Sequence, residues 1–568
     1  MVLLHEPPDE ATRNILSAYD DFAAGLLVRR GVKTQAEAFA FLSPSYDEHL
    51  HDPLLLKNMP EAAARLARAI IEKEHIAVWS DYDCDGIPGG VVLHDFLKKV
   101  DANFENYIPH RHEEGYGVNE MGIELLAKRG ATLVVTVDSG ITDVVAVARA
   151  RELGMDVIVT DHHLPGEELP NAIVVDHKQK GETYPFPELC GAAMAWKLAC
   201  ATLAVSPELR ARVPAGWEKW LLDMVGLATI ADMVPLVGEN RVIATYGLLV
   251  LRKSPRLGLQ KLCRAARVNQ RFISEEDVGF MIAPRINAAS RMGDPKDAFR
   301  LFTTDDENEA EMLAKKLETA NRSRRSAAAA ITRAVHERVE ERVLAGTVPE
   351  VIALGDPEWK PSLLGLVASG IAEEYERPVF LWGREGNQTL KGSCRSYGNV
   401  HLVKLMSAAT EVFAEFGGHA YSGGFTLRDD QVFFLEERLS AARMTLKDAE
   451  TTPIRADASL TPGEVTIDLF AKIRKMAPFG EGNPKPIFIF ADAEVAQVSW
   501  FGKSNEHIKI SIVRDTTPLE AIAFYAKREL GKRVHNLAEG MRLTILGSIE
   551  RDQFSKGMPV RLRIARLV

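Results

Sequence analysis

Four apolar, β-branched runs recur in the first third of the chain, and each leads into an aspartate: IAVWS before Asp81, LVVTV before Asp138, VIVT before Asp161 and IVV before Asp176. Helix-length segments separate most of them, the pattern of right-handed βαβ units in a parallel sheet. In an open α/β sheet the ligand crevice lies outside the carboxyl ends of the strands. The repeat therefore delivers acids to one edge, where they face a site rather than a core.

The first run is the most acidic. In IAVWSDYDCDGIPGG (Ile76 to Gly90) a buried strand is followed by Asp81, Asp83 and Asp85, with a helix expected over Gly89 to Val100. Carboxylates this close repel one another unless a cation or water neutralises them. Taken alone, the stretch is also compatible with a solvated acidic turn or a helix N-cap. The other strand ends add Ser139 and Gly140 after Asp138, His162 and His163 after Asp161, and His177 after Asp176. One such acid is a turn signal, whereas several on consecutive strands are hard to explain as turns. Asp232 follows a helix expected over Trp217 to Ile230 and precedes Pro235. Such an aspartate is either a cap or salt-bridge partner or one more ligand, and the waiting strand-end acids favour the ligand.

The loop of FENYIPHRHEEGYGV carries His110, Arg111 and His112, either a surface cluster or a phosphate-holding group overhanging the edge. Downstream, PRINAASRMG holds Arg285, Asn287 and Arg291, which read by themselves as capping and surface residues. Asp305 to Leu344 is one long helical pattern, expected to connect two lobes. Val351 to Lys447 reads as a second α/β domain, in which SCRSYGNVHL and FGGHAYSGGF look like small-residue turns whose N–H groups could nest an anion. From Arg455 onward, short alternating segments with one helix near Ala526 to Leu530 suggest a small barrel of OB type. There Trp500, Phe501, Phe524 and Tyr525 are either core or base-stacking residues.

Composition sets the outer bounds. A chain of 568 residues is too long for one core. Divisions are expected at 1–70 (helical), 71–290, 291–347 (connector helix), 348–450 and 455–568. Five cysteines without CxxC spacing argue against a disulfide framework and a structural zinc site. No apolar run has membrane-spanning length, and MVLLHEPPDE lacks a basic region followed by an apolar stretch, so a cytoplasmic protein is expected. The formal charge is −10, but the segment from Arg455 carries 18 Lys and Arg against 13 Asp and Glu, a net of +5 that leaves −15 for the rest. That asymmetry permits a nucleic-acid module on an acidic, cation-binding body.

DYDCDG, VTVDSG, TDHH and ATIADMVP, in that order, resemble the four motifs of the DHH phosphoesterase superfamily. With PRINAASRM, SCRS, GGHAYSGGF and APFGEGNPKPIF downstream, the chain from about residue 50 resembles the RecJ branch of single-strand-specific exonucleases. The resemblance implies a parallel-sheet DHH domain, a connector helix, a DHHA1 domain and an OB-like barrel. It also implies two divalent ions, Mn²⁺ or Mg²⁺, which carboxylate-rich ligation suits. Asp83 and Asp138 would hold one, and Asp85, Asp138, His162 and Asp232 the other, about 3.5 to 4 Å apart. His163 would touch the scissile phosphate, and Asp81 would be a further ligand or an acceptor behind the ligands. Arg111, Arg285, Asn287, Ser393, Arg395, Ser396, Gly418 and His419 would bind substrate phosphate, with Gly417 beside them. Several departures from the family pattern stand out: Trp79 in place of a histidine common in related phosphoesterases, Pro88 for a small hydroxyl residue, Ser290 for glycine, and Tyr421 to Gly423 where small alanines are usual.

The implied activity is 5′-to-3′ hydrolysis of single-stranded DNA to mononucleotides in recombination and repair, by a monomer working with a helicase or single-strand-binding protein. Two lobes joined by a helix would admit one strand and exclude a duplex. The alternatives are an oligoribonuclease or cyclic-dinucleotide phosphodiesterase, and an inactive DNA-binding scaffold. The basic C-terminal barrel argues against the first, and the retention of so many mutually repelling acids against the second.

Overall fold

The β-branched runs pair side by side as their pattern requires. The computed structural model describes residues 2–384, 389–446, 454–502, 505–514, 517–526, 530, 534, 536–552 and 559–568. One sheet contains β1 (His75–Ser80), β2 (Asn103–Tyr107), β3 (Leu133–Val137), β4 (Asp156–Thr160) and β5 (Ile173–Val175). The order is β2-β1-β3-β4-β5, and every pair is parallel. The register places Ser80 opposite Val137, Val137 opposite Thr160 and Thr160 opposite Val175. The ladder then continues one residue further, with the N–H groups of Asp81, Asp138 and Asp161 donating to the carbonyls of Val137, Thr160 and Val175. The four strand-end aspartates thus lie in one row.

Alternation along β1 sends Ile76 and Val78 into one core and Ala77 and Trp79 into the other. Trp79 is fully buried and stacks on Tyr107 at 4.3 Å between ring centroids. Helix α1 (Met59–Ile71) precedes the sheet, and α2 (Gly86–Lys99) begins three residues earlier than its periodicity suggests. Pro88 sits in its first turn, where a proline needs no N–H partner. A side chain at Gly89 would meet Val137 Cγ1 at 2.5 Å, and one at Gly90 would meet Ser80 Oγ at 2.6 Å. The paired glycines therefore let α2 lie directly on the sheet.

Three more helices complete the frame of the site: α3 (Gly191–Val205), α4 (Leu222–Ala231) and α5 (Gly238–Leu251). Helices α4 and α5 cross at Gly226 and Gly247, where a Cβ on either would stand 2.5 Å from the other's Cα. Asp232, the C-cap of α4, is placed by that crossing. A helix over Ala283–Met292 buries Ser290, and the long helix spans Glu307–Ala345 in 39 residues.

The chain divides into two compact units within that long helix. One comprises Leu27–Ser323 with Met476–Pro484, and the other Met1–Leu26, Arg324–Lys475 and Lys485–Val568. The second unit holds a five-stranded sheet of β6 (Ile352–Gly355), β7 (Val379–Gly383), β8 (Lys391–Arg395), β9 (Phe413–Gly418) and β10 (Ser422–Leu427). The turns expected in SCRSYGNVHL and FGGHAYSGGF, bordering strands and helices, are present at 398–399 and at 419–421, but most of the flanking small residues lie in the strands. Ser393 and Arg395 are strand residues, and Gly417 and Gly418 pair with Gly424 and Gly423 in an antiparallel ladder, leaving only 419–421 as the turn. Small side chains allow this close pairing as readily as they allow a turn, so the sequence pattern does not show where strand gives way to turn.

The same unit carries a barrel of β11 (Phe488–Phe501), β12 (His507–Arg514), β13 (Thr517–Ala523), β14 (Arg542–Arg551) and β15 (Val560–Leu567), closed by pairing of β14 with β11. The helix expected near Ala526 to Leu530 falls mostly outside the described residues. Phe501, His507, Phe524 and Tyr525 form a partly exposed ring cluster, with the Arg563 guanidinium 4.3 Å from the Phe524 ring. No helix among the described residues is long and apolar enough to cross a membrane.

Gly247→Ala tests the crossing that places Asp232. The new methyl meets backbone atoms of α4, a strain of about 1–3 kcal/mol that outweighs the ~1 kcal/mol gained in helix propensity. The thermal unfolding midpoint is expected to fall by several degrees, and an unchanged or raised midpoint in scanning calorimetry would show that the helices move apart freely.

Candidate metal centre

Strand ends, one helix start and one helix end converge on a single cluster. The Nε2 atom of His162 lies 3.1 Å from Asp138 Oδ1, 3.5 Å from Asp85 Oδ2 and 3.7 Å from Asp232 Oδ2. Asp81, Asp83 and Asp138 form a second, adjoining set, and Asp138 with both histidines a third. Asp138 belongs to both of the latter sets and sits at φ 60°, a left-handed conformation that aspartate tolerates at a small cost. It directly follows β3, so this backbone turn sets the direction of its carboxylate.

Fixed donors hold the acids in place. Asp85 accepts from the N–H groups of Gly191 at 2.6 Å and Ala192 at 2.8 Å, at the positive end of α3. A Cβ on Gly191 would meet that of Asp138 at 2.6 Å, so only glycine lets the helix start come this near. Asp83 Oδ1 accepts from the N–H groups of Asp85 and Gly86 at 2.7 and 3.1 Å. Asp161 accepts from the N–H groups of Ile141, His162 and His163, and from the His163 ring at Nδ1, 2.8 Å away. Tyr116 Oη stands 3.3 Å from that same ring nitrogen.

Electrostatically the cluster lacks positive charge. Burial, then the neighbouring carboxylates, push Asp85 up to about 7 and Asp232 up to about 8. The same two causes hold Asp138 and Asp81 well above the usual carboxylate range. Burial pushes His162 down to about 3, leaving a neutral imidazole. Burial also opposes charge on His163, but the hydrogen bond to Asp161 and the nearby carboxylates prevail and raise it. Asp161 is lowered despite its burial, by that histidine and by backbone donors. The buried Oδ1 atoms of Asp138 and Asp81 accept no hydrogen bond.

Hard oxygens with a neutral imidazole, two orphaned buried carboxylate oxygens and acids forced toward protonation are the donor set of a divalent cation. Asp81 lies in the cluster with Asp83 and Asp138, whereas Trp79 is buried in the sheet's core against Tyr107.

The expected phosphate-binding residues are distributed over both units. Arg111 lies 4.9 Å from the ring of Tyr82 and exerts its charge on Asp81, so its loop does reach the cluster. Arg285 is buried and donates to Glu318 Oε2 at 2.7 Å and to the Met281 carbonyl. Asn287 is half-buried on the same helix. In the second unit, Arg395 and Ser396 meet the hairpin turn through the pairing of Arg395 with Ser422 and the bond from Ser396 N to Tyr421 O, with exposed Gly418 and His419 alongside; Ser393 pairs with Gly424. Three contributors had no clear signal in sequence: the Gly191–Ala192 helix start, Asp161 as the partner of the His163 ring, and Tyr116.

Fold and cluster together define a DHH-type domain built around a divalent-metal centre. The DHH family N-terminal domain matches residues 75–229, the DHHA1 domain 341–450 and the RecJ OB domain 456–566. The single-stranded-DNA-specific exonuclease RecJ of Bacillus subtilis is 36% identical over 546 residues, 95% of this chain and 67% of the relative. Its Escherichia coli counterpart is 30% identical over 83% of this chain and 84% of the relative. The chain belongs to the RecJ family. Among solved structures, RecJ from Thermus thermophilus in complex with Mn²⁺ is 27% identical, with a TM-score of 0.81 over 100% of this chain and 78% of that one. An exonuclease RecJ bound to manganese is 34% identical, with a TM-score of 0.59 over 69% of this chain and 96% of that one. A further Thermus thermophilus structure carries Mg²⁺, so the donor set fits the ions found in related structures.

A carboxyl whose pKa is raised on folding binds protons that the unfolded chain does not, so stability falls as pH rises from the ordinary value of 3.8 through the folded values of about 7 and 8. A bound cation removes that penalty and competes with the same protons. Mn²⁺ is therefore expected to raise the unfolding midpoint more at pH 8 than at pH 5.5. An increment independent of pH in differential scanning calorimetry would contradict the assignment of these acids to the metal centre.

Proposed function

We propose that the protein is a metal-dependent exonuclease that hydrolyses single-stranded DNA from the 5′ end and releases 5′-mononucleotides. The observation that carries this reading is the convergence of Asp83, Asp85, Asp138, His162 and Asp232 on one edge of the parallel sheet, in a chain resembling RecJ exonucleases along nearly its whole length. Asp83 and Asp138 would hold one ion, and Asp85, Asp138, His162 and Asp232 the second, with Asp81 beside the first. Bound there, two divalent ions would supply an activated water and neutralise the charge of the attacked phosphate.

The remaining steps belong to the chain. His163 keeps its ring oriented through Asp161 and, with its pKa raised, offers a proton or a charged hydrogen bond to a phosphate oxygen. Its half-exposed side chain can reach substrate, whereas that of His162 is enclosed. Arg111, Arg285, Asn287, Ser393, Arg395, Ser396, Gly418 and His419 are the groups we assign to substrate phosphate. The barrel, with its aromatic cluster and the Arg563 guanidinium, favours long strands over dinucleotides. We place the activity in the cytoplasm, in a monomer whose metal ligands all come from one chain, acting in recombination and repair on strands opened by a helicase or held by a single-strand-binding protein.

The direct test is a long single strand labelled at one end, offered beside matching duplex and dinucleotide substrates with Mn²⁺, Mg²⁺ or EDTA. Mononucleotides released first from the 5′ end, only with metal, are expected. Cleavage of the dinucleotide alone would point to the short-oligomer activity, and binding without cleavage under every metal to a scaffold. Asp138→Ala should abolish cleavage while leaving strand binding measurable; surviving cleavage would remove Asp138 from the centre.

The two adjacent histidines should also separate kinetically. His163→Ala is expected to lower kcat about 10²–10³-fold with Mn²⁺ affinity little changed, and Asp161→Asn to produce a smaller loss of the same kind. If His163→Ala weakened Mn²⁺ binding as much as His162→Ala in calorimetric titration, the division of roles would be wrong.

A further inference from the structure

The sequence APFGEGNP lies far from the metal motifs, just ahead of the barrel, yet Met476–Pro484 belongs to the compact unit that holds the metal centre. Its chain neighbours on both sides belong to the other unit. Its partners within the metal-centre unit are specific. Leu236 N donates to Glu481 O at 2.7 Å, and Leu236 is buried four residues after Asp232. A Cβ on Gly480 would come within 2.7 Å of Leu236 Cδ1, and one on Gly482, at φ +68°, within 3.0 Å of Pro235 Cβ. Glycine is thus favoured at 482, by its positive φ and its closeness to Pro235, and at 480 leaves room for the end of the Leu236 side chain.

The segment is itself held at both ends. Arg241, buried on α5, donates to Ala477 O at 3.0 Å. Asn483 is fully buried: its Nδ2 donates to Met476 O at 2.8 Å and Pro478 O at 2.7 Å, and its Oδ1 accepts from Arg30 Nε. Gly480 and Asn483 exchange both backbone hydrogen bonds, and Phe479 N donates to Glu275. This nine-residue loop is thus tied by hydrogen bonds both within itself and to the unit that holds the metal centre.

Asp232 needs such a support. It is the C-cap of α4, followed by Met233 at φ 60°, which is largely exposed, and its carboxylate must stay beside His162 and the neighbouring Asp85 carboxylate. We infer that Met476–Pro484 is a positioning brace for Asp232: pressing on Pro235 and Leu236, it holds that carboxylate in the metal-binding arrangement. The second ion site would then depend on residues about 250 positions away in the chain, none of which is among the assigned ligands. This inference rests on the reading of Asp232 as a ligand.

Loss of groups that orient metal ligands typically weakens affinity about 10–100-fold. Mn²⁺ binding to the full chain is measured by isothermal titration for the wild type, Asn483→Ala, Asp232→Asn and the double variant, together with the metal-free unfolding midpoint. Asn483→Ala is expected to weaken Mn²⁺ binding about 10-fold, with little further loss in the Asp232→Asn background, because the brace acts through that carboxylate. Gly480→Ala, whose added methyl presses only on the end of the Leu236 side chain, is expected to act in the same direction if Asn483→Ala folds poorly. Normal Mn²⁺ affinity in both brace variants, or an equal loss with and without Asp232, would overturn the brace. If Asp232→Asn itself leaves Mn²⁺ binding unchanged, the ligand assignment fails instead.

Discussion

Mutual repulsion among buried carboxylates is the constraint on which the rest of the structure turns. Asp81, Asp85 and Asp138 are nearly or fully buried, and without a cation their burial and proximity drive them toward the protonated state. A fold that only needed stability would not collect such groups, because each unpaired buried acid costs more than a neutral side chain of similar size. The sheet, with its acids in one row, is therefore best understood as a scaffold that keeps these carboxyl groups together for divalent ions to bind. Divalent charge is what relieves their mutual repulsion, since ions of +2 pair with several carboxylates at once.

Holding those charges together requires rigid neighbours, and the fold supplies them by close approach. Gly89 and Gly90 seat α2 on the sheet, Gly191 brings the start of α3 against Asp138, and Gly226 with Gly247 locks α4 to α5. In each case the missing side chain allows backbone to meet backbone or a strand side chain, where neither can yield. The N–H groups at the start of α3 then stabilise Asp85 as a carboxylate, opposing in part the burial that would neutralise it.

Much of this could be read from sequence. The β-branched runs and their terminal aspartates specify the parallel sheet and its acidic edge, since alternation and register leave the four strands little freedom. The grouping of His162, Asp138 and Asp232 was foreshadowed because several acids at consecutive strand ends, with one more after a helix, are hard to explain as turns. What could not be read depends on contacts between segments distant in sequence. Nothing in GAAMAW announces that its first two N–H groups hold Asp85, nothing in APFGEGNP points to Asp232, and the small residues of FGGHAYSGGF suit a tight ladder as well as a turn. Residue type constrains which local conformations are allowed; it is silent on which distant group comes to rest there.

His162 and His163 show the limit most sharply, because two identical, adjacent side chains acquire opposite properties. Their rings lie 4.5 Å apart, yet one is neutral and the other inclined to carry charge. The difference lies in Asp161. Its carboxylate takes the Nδ1 of His163, which stabilises a proton on that ring, while the burial of His162 and the charge on His163 beside it strip the proton from the first. A neutral imidazole is what a cation needs as a ligand, and a charged one is what a phosphate needs as a partner. The Asp-His-His triplet is therefore a single electrostatic unit in which the aspartate, by bonding one histidine, gives the two rings opposite charge preferences, those that the proposed roles of ligand and phosphate partner require.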